Sequence, residues 1–171
     1  MLPSGILGAG PAVRCRREAI ARSGHGYYPA VDAGAADPAR GGREPARETT
    51  RVTVADIGEL RRRLIAAACA AGMGRERADL FTVAVNEIVI NAVQYGGGAA
   101  DVTITDRGDR IVVDVRDQGG LAAVVVPAAL PPADQIHGRG LWLARRLCDE
   151  VTVTPSAVGT HVTLTAALPD G

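Results

Sequence analysis

Large apolar residues are sparse and unordered through residue 50 and become periodic from Val52 onward. In the first stretch Gly, Pro and Arg outnumber them, and without a periodic apolar face a segment cannot offset the entropy of ordering its backbone. Residues 1–50 are therefore expected to form a disordered, mildly basic arm, a misassigned start being the other reading. Residues 51–169 are expected to form the folded domain. Ile57, Leu60, Leu64, Ile65 and Ala68 recur at helical spacing and predict a helix over residues 55–71. Arg61, Arg62 and Arg63 lie on its outer side, and Gly72 and Gly74 end it. Asp79 is placed to cap a second helix running to Tyr95 and stopped by Gly96-Gly97-Gly98. Alternating segments over residues 101–105 and 110–116 predict strands joined by a turn at Gly108. After an irregular run containing Pro127, Pro131 and Pro132, a third helix is expected over 139–148 and closing strands over 150–154 and 160–166. This order predicts an α+β fold, a two-layer sandwich with a mixed, mostly antiparallel sheet.

Composition narrows the function. Of the 171 residues 47% are hydrophobic, but 30 of those are Ala, and only 41 are Leu, Ile, Val or Phe. That share, about 24%, still clears the roughly 20% level of disordered chains. All 19 basic residues are Arg and none is Lys. The absence excludes a Gly-Lys-Ser/Thr phosphate loop, a Schiff-base lysine and the strand lysine of conventional protein kinases. A net charge of zero argues against direct nucleic-acid binding, which depends on neutralising phosphates. It divides into about +3 over residues 1–51 and about −3 over 52–171. Cys15, Cys69 and Cys148 are isolated and odd in number, which points to a reducing cytoplasm. No signal-peptide pattern and no run of ~18 apolar residues is present, so a soluble protein without a membrane span is expected.

Four places along the domain carry candidate chemistry. Glu87 and Asn91 stand four apart on the second helix and share one face among β-branched neighbours. They read either as a solvated stripe or as a carboxylate and an amide at the wall of a nucleotide site. In the second reading the amide ligates Mg²⁺ and the carboxylate accepts a proton or orients water. Asp117 ends a strand and runs into Gly119-Gly120, which is either a plain turn or a carboxylate facing the amine of adenine with Gly119 making room for the ring. His137-Gly138-Arg139-Gly140-Leu141 precedes a helix; the glycines either form a hinge or bring backbone N–H groups to phosphate, with His137 beside them. With no Lys in the chain, any protein cation near a terminal phosphate must be Arg, and Arg139 is so placed. Thr160 enters the last strand as a packing residue or a ligand contact. His25 and His161 read as solvated or structural, Trp142 as a packing or partner contact, and Arg61 to Arg63 as a solvated face ahead of a surface for an acidic partner.

Helix Glu-x-x-x-Asn, strand-end Asp-x-Gly, Gly-x-Gly before a helix, then Gly-Thr in a last strand resembles the nucleotide-binding boxes of the histidine-kinase-like (GHKL) ATPases, the Bergerat fold. Within that group the chain resembles the small anti-sigma-factor serine/threonine kinases of actinobacterial type, over residues 52–168. The resemblance implies ATP and Mg²⁺ as cofactors, Glu87 as general base and Asn91 as metal ligand. It further implies Asp117 on the adenine amine, Gly119 against the ring, Gly138 and Gly140 on phosphates, and Thr160 supporting the adenine end. Residues 118–137 would be the lid. The implied partners are a small anti-anti-sigma protein of STAS type and a sigma factor, with homodimerisation expected. The second box departs from the usual Asp-x-Gly-x-Gly: Leu121 holds the fifth place and Gly119 and Gly120 are adjacent. No histidine-bearing dimerisation helix is read ahead of the domain, which turns the expectation away from a sensor kinase. A non-catalytic ATP-binding regulator and an interaction domain with a decayed pocket are the alternatives to a kinase.

Overall fold

The alternation read in the second half of the chain becomes a sheet with one apolar and one polar face. The computed structural model describes residues 13–16, 47–119 and 139–169. In chain order the elements are β1 (Val13–Arg16), β2 (Arg47–Val52), α1 (Ile57–Ala70), α2 (Arg75–Tyr95), β3 (Ala100–Asp106), β4 (Arg110–Arg116), α3 (Arg139–Leu147), β5 (Glu150–Ser156) and β6 (Gly159–Ala167). The strands lie in the order β1-β5-β6-β4-β3-β2. Every pairing is antiparallel, where the sequence left room for a mixed sheet. The reason is topological: β5 enters beyond the place of β6, so β6 inserts between β5 and β4 and pairs antiparallel with both.

Register follows burial. Val113 and Val151 flank Leu164, and Val115 and Val153 flank Val162; all six turn to the helices and are buried. A slip of one residue would send this whole set to solvent, so the pairing is strongly specified. Against this face pack Leu60, Leu64 and Ala68 of α1, Phe81, Val85, Ile88 and Val89 of α2, and Ala144 of α3. Phe81 is the single phenylalanine and is fully buried, while alanines at 68, 84, 92 and 144 let the layers approach closely. The opposite face is polar. Thr49 and Thr103 hydroxyls lie 2.9 Å apart, and Asp114 accepts from the Thr163 hydroxyl at 2.8 Å and lies 2.6 Å from His161 Nε2. His161 is thereby accounted for as a structural partner of that face.

Several boundaries differ from expectation. β2 begins at Arg47, ahead of the expected boundary at 51, and β1 lies within the expected arm. Only Val52 of β2 is buried, because an edge strand exposes most of its side chains, so it carried no apolar signal. Its Glu48 pairs with Arg63 of α1, so one of the three consecutive arginines ties helix to strand. α2 starts at Arg75 with Gly74 at the N-cap, and Asp79 sits one turn inside, bonded to Arg75 Nε at 3.1 Å. α1 closes through Gly72 at φ 97, with the Met73 N–H donating to Ala68 O at 2.9 Å and the Gly72 N–H to Cys69 O at 3.0 Å. Among the described residues no helix is long and apolar enough to cross a membrane.

α3 is clamped at its C-terminal end. Arg77 of α2 donates to Leu147 O and, at 2.8 Å, to Asp149 Oδ2, which also accepts the Ala167 N–H at 2.8 Å. The Asp149 carboxylate thus joins α2 to β6, and Arg77 ties α2 to the end of α3.

Candidate functional site

Helical spacing puts Glu87 and Asn91 on one flank of α2, both half-buried. α3 lies on that flank, and its second residue, Gly140, is buried there. A Cβ at Gly140 would fall 2.9 Å from Asn91 Nδ2 and 3.2 Å from Glu87 Cβ. Glycine is needed because the two helices meet backbone to side chain. The N-terminal end of α3, opened by the exposed Arg139, thereby sits against a carboxylate and an amide. The positive end of the helix dipole makes that place favourable to an anion. Neither Glu87 nor Asn91 forms a hydrogen bond or ion pair among the described residues. An amide oxygen and a carboxylate are the hard donors a Mg²⁺ ion takes, with phosphate and water completing its shell, so the residues present fit that ion. Leu141 is half-buried and packs against the core, which anchors the start of α3.

The second cluster gathers around Asp117, just beyond the end of β4. Its Oδ1 accepts the N–H of Gly119 at 2.9 Å and the N–H of Thr160 at 3.1 Å. Its own N–H donates to Thr160 O at 3.0 Å, so β6 grips it from both sides. Among the described residues Oδ2 has no partner and remains an open acceptor. Burial pushes the Asp117 carboxyl above its ordinary range, against the N–H groups of Thr160 and Gly119, which pull it down. Thr160 is 5% exposed, and its Oγ1 is buried without a hydrogen-bond partner among the described residues. A buried hydroxyl left unsatisfied beside an open carboxylate oxygen is an arrangement suited to a ligand that both donates and accepts.

Three glycines let the segment around Asp117 pack closely, one of them against its side chain. A Cβ at Gly96 would lie 2.3 Å from Asp117 Cβ, one at Gly119 would lie 2.2 Å from Tyr95 O, and one at Gly159 would lie 1.9 Å from Asp117 O. Gly119 was expected here. Gly96 read only as a helix stop and Gly159 only as a strand entry. A third glycine where two suffice to end a helix was the one available signal for Gly96. Asn86 also escaped sequence reading; its Oδ1, like Thr82 Oγ1 one turn earlier on α2, is buried without a partner among the described residues.

The two clusters form the two ends of a site along the C-terminal half of α2. Glu87 and Gly96 are nine positions apart, about 14 Å along the axis at ~1.5 Å per residue. One end offers an acceptor and a hydroxyl, the other a carboxylate, an amide and a helix N-terminus. Of the residues expected from sequence, Glu87, Asn91, Arg139, Gly140 and Leu141 meet at one end and Asp117, Gly119 and Thr160 at the other. His137 and Gly138, and the expected lid beyond Gly119, lie outside the described residues.

A two-layer sandwich whose site runs along one helix, with anion and cation chemistry at one end and an open carboxylate at the other, defines a nucleotide-binding domain. Consistent with this, the profile of the histidine kinase-like ATPase domain matches residues 50–166, about two thirds of the chain. The chain belongs to that family: it is an ATP-binding domain of Bergerat type, in a family that includes anti-sigma-factor serine kinases. A search of curated proteins gives no match.

Proposed function

We propose that this protein is an ATP- and Mg²⁺-dependent serine/threonine kinase of the anti-sigma-factor type, whose substrate is a Ser or Thr of a small anti-anti-sigma partner. Sequestration of a sigma factor would be its second activity, and a homodimer its working state. The observation that carries the reading is the placement of the Glu87 and Asn91 side chains, unpartnered among the described residues, against the N-terminal end of α3, within three turns of the end of α2 that abuts Asp117.

In this reading Asp117 Oδ2 accepts from the exocyclic amine of adenine, and Thr160 Oγ1 bonds the base or a water beside it. The triphosphate runs along α2 toward α3, whose N-terminal amides take phosphate oxygens. Arg139 is the cation nearest that end. Asn91 would hold Mg²⁺, which supplies charge neutralisation on the phosphates when bound. Glu87 accepts the proton of the substrate hydroxyl as its oxygen bonds to the γ-phosphorus and ADP leaves. Positioning and charge stabilisation carry most of such a transfer.

The test is incubation with γ-labelled ATP and candidate partner domains, comparing wild type with Glu87→Gln. Label on a partner Ser or Thr that disappears in the variant, with ATP affinity retained, is the expected result. Transfer that survives the substitution removes the role given to Glu87. Tight ATP binding with no transfer to any partner would select a regulator that acts by nucleotide occupancy alone.

A further inference from the structure

Of the three glycines that follow Tyr95, two are explained by conformation. Gly97 and Gly98 have φ of 94 and 86, where glycine is favoured, and a Cβ on either would meet nothing within 4 Å. Gly96 is the opposite case. Its φ is −103, which any residue adopts, yet a Cβ there would fall 2.3 Å from Asp117 Cβ, 2.7 Å from Asp117 Cγ and 2.2 Å from Ala92 O. Gly96 is buried, and its carbonyl accepts the Gln118 N–H at 3.3 Å. Gly119 meets the same helix end, with its Cβ position 2.6 Å from Gly96 Cα. The segment carrying Asp117 is therefore seated on the C-terminal end of α2, and what makes the seat is a missing side chain, not a turn.

We propose that Gly96 is a positioning residue that sets nucleobase selectivity, because its lack of a side chain lets Asp117 seat against the end of α2 and so determines where the open Oδ2 meets the base. This rests on the reading that Asp117 receives the base. A methyl group at 96 displaces the carboxylate by roughly 1 Å, enough to take a hydrogen bond out of its range of about 2.7–3.2 Å. Because α2 also carries Glu87 and Asn91, the same seat holds the base end and the phosphate end of the site in one frame. The consequence is specific. A nucleotide with an amine at the carboxylate loses affinity when Gly96 is substituted, whereas one with a carbonyl oxygen there has no such bond to lose.

The experiment compares ATP with inosine triphosphate, which keeps the sugar and phosphates and replaces the amine by a carbonyl. Affinities are measured for wild type, Gly96→Ala and Gly97→Ala, the last straining the same loop through its φ of 94 while its methyl meets nothing within 4 Å. Wild type is expected to favour ATP by tenfold or more. Gly96→Ala should bring the ratio to within about threefold by weakening ATP alone, and Gly97→Ala should keep the wild-type ratio. Because each figure is a ratio on one protein, a loss of folded fraction cancels. An unchanged ratio in Gly96→Ala, or equal weakening of both nucleotides, overturns the inference while leaving the base reading standing. Indifference of the wild type to the two nucleotides overturns both. If Gly96→Ala does not fold, Gly96→Ala is combined with Asp117→Gly. Folding regained in the double variant supports the contact with Asp117 as the reason for glycine, and folding not regained refutes it.

Discussion

Thr160→Val separates stability from binding in opposite directions. Thr160 is 5% exposed and its Oγ1 is unpartnered among the described residues, on a strand position where a β-branched residue of the same shape fits. A buried hydroxyl without a partner costs about 1–3 kcal/mol, and an apolar isostere removes that cost. The nucleotide-free variant should therefore be more stable than wild type by roughly 1–2 kcal/mol, with a melting midpoint higher by several degrees. ATP should then matter less. If the hydroxyl makes one net hydrogen bond in the complex, its loss weakens ATP by about tenfold, or ~1.4 kcal/mol. At a ligand concentration of about 100 times the wild-type Kd, ATP stabilises wild type by ~2.7 kcal/mol and the variant by only ~1.4 kcal/mol. Thermal melts with and without Mg-ATP, together with calorimetric titration, read both quantities. A variant that melts lower than wild type without nucleotide, or that gains the same increment from ATP, would refute the reasoning.

Asp117→Asn and Asp114→Asn should shift stability in opposite senses, measured by melts across pH. Burial raises the Asp117 carboxyl, so its favourable contribution is complete below the unfolded value of ~3.9 and is lost as pH rises through the folded value. Asp117→Asn, whose amide oxygen can still accept both N–H groups, should therefore stabilise the nucleotide-free protein at neutral pH, and the gain should vanish on acidification. Asp114 is also pushed up by burial, but hydrogen bonds from Thr163 and His161, with the charges of His161 and Arg116, outweigh this and leave it lowered. Its contribution is present above ~3.9 and lost as pH falls through the lowered value, so Asp114→Asn should destabilise at neutral pH and converge with wild type in acid. Arg77→Ala should cost about 1–2 kcal/mol of stability, part of it removed by high salt, since it breaks a partly exposed ion pair and a bond to the last carbonyls of α3. A midpoint unchanged by Arg77→Ala would show that the clamp on α3 contributes nothing.

Local signals carried much of this fold. The second helix, the β3–β4 hairpin and the closing strands were legible within a few residues, since period and turn chemistry act over one or two turns of chain. The start of α2 was misplaced because Asp79 looks like a cap, while its Arg75 partner and the extended Gly74 are equally ordinary sequence. β2 was missed because an edge strand with one buried residue has no apolar alternation to detect. The site was legible in its residue types and illegible in its contacts. Glu87, Asn91, Asp117, Gly140 and Thr160 could be named, but not that Gly140 is the contact on Glu87 and Asn91, nor that Thr160 grips Asp117 twice.

By itself the amino-acid sequence determined three helices and the four strands β3 to β6, the absence of lysine chemistry and the order of boxes along the chain. The tertiary structure decided the all-antiparallel order of the sheet, the meeting of two clusters on one helix and the reason for Gly96. Periodicity and capping are properties of neighbours in sequence, whereas a 2.3 Å approach between positions 96 and 117 exists only once strand order and helix placement have closed the space between them.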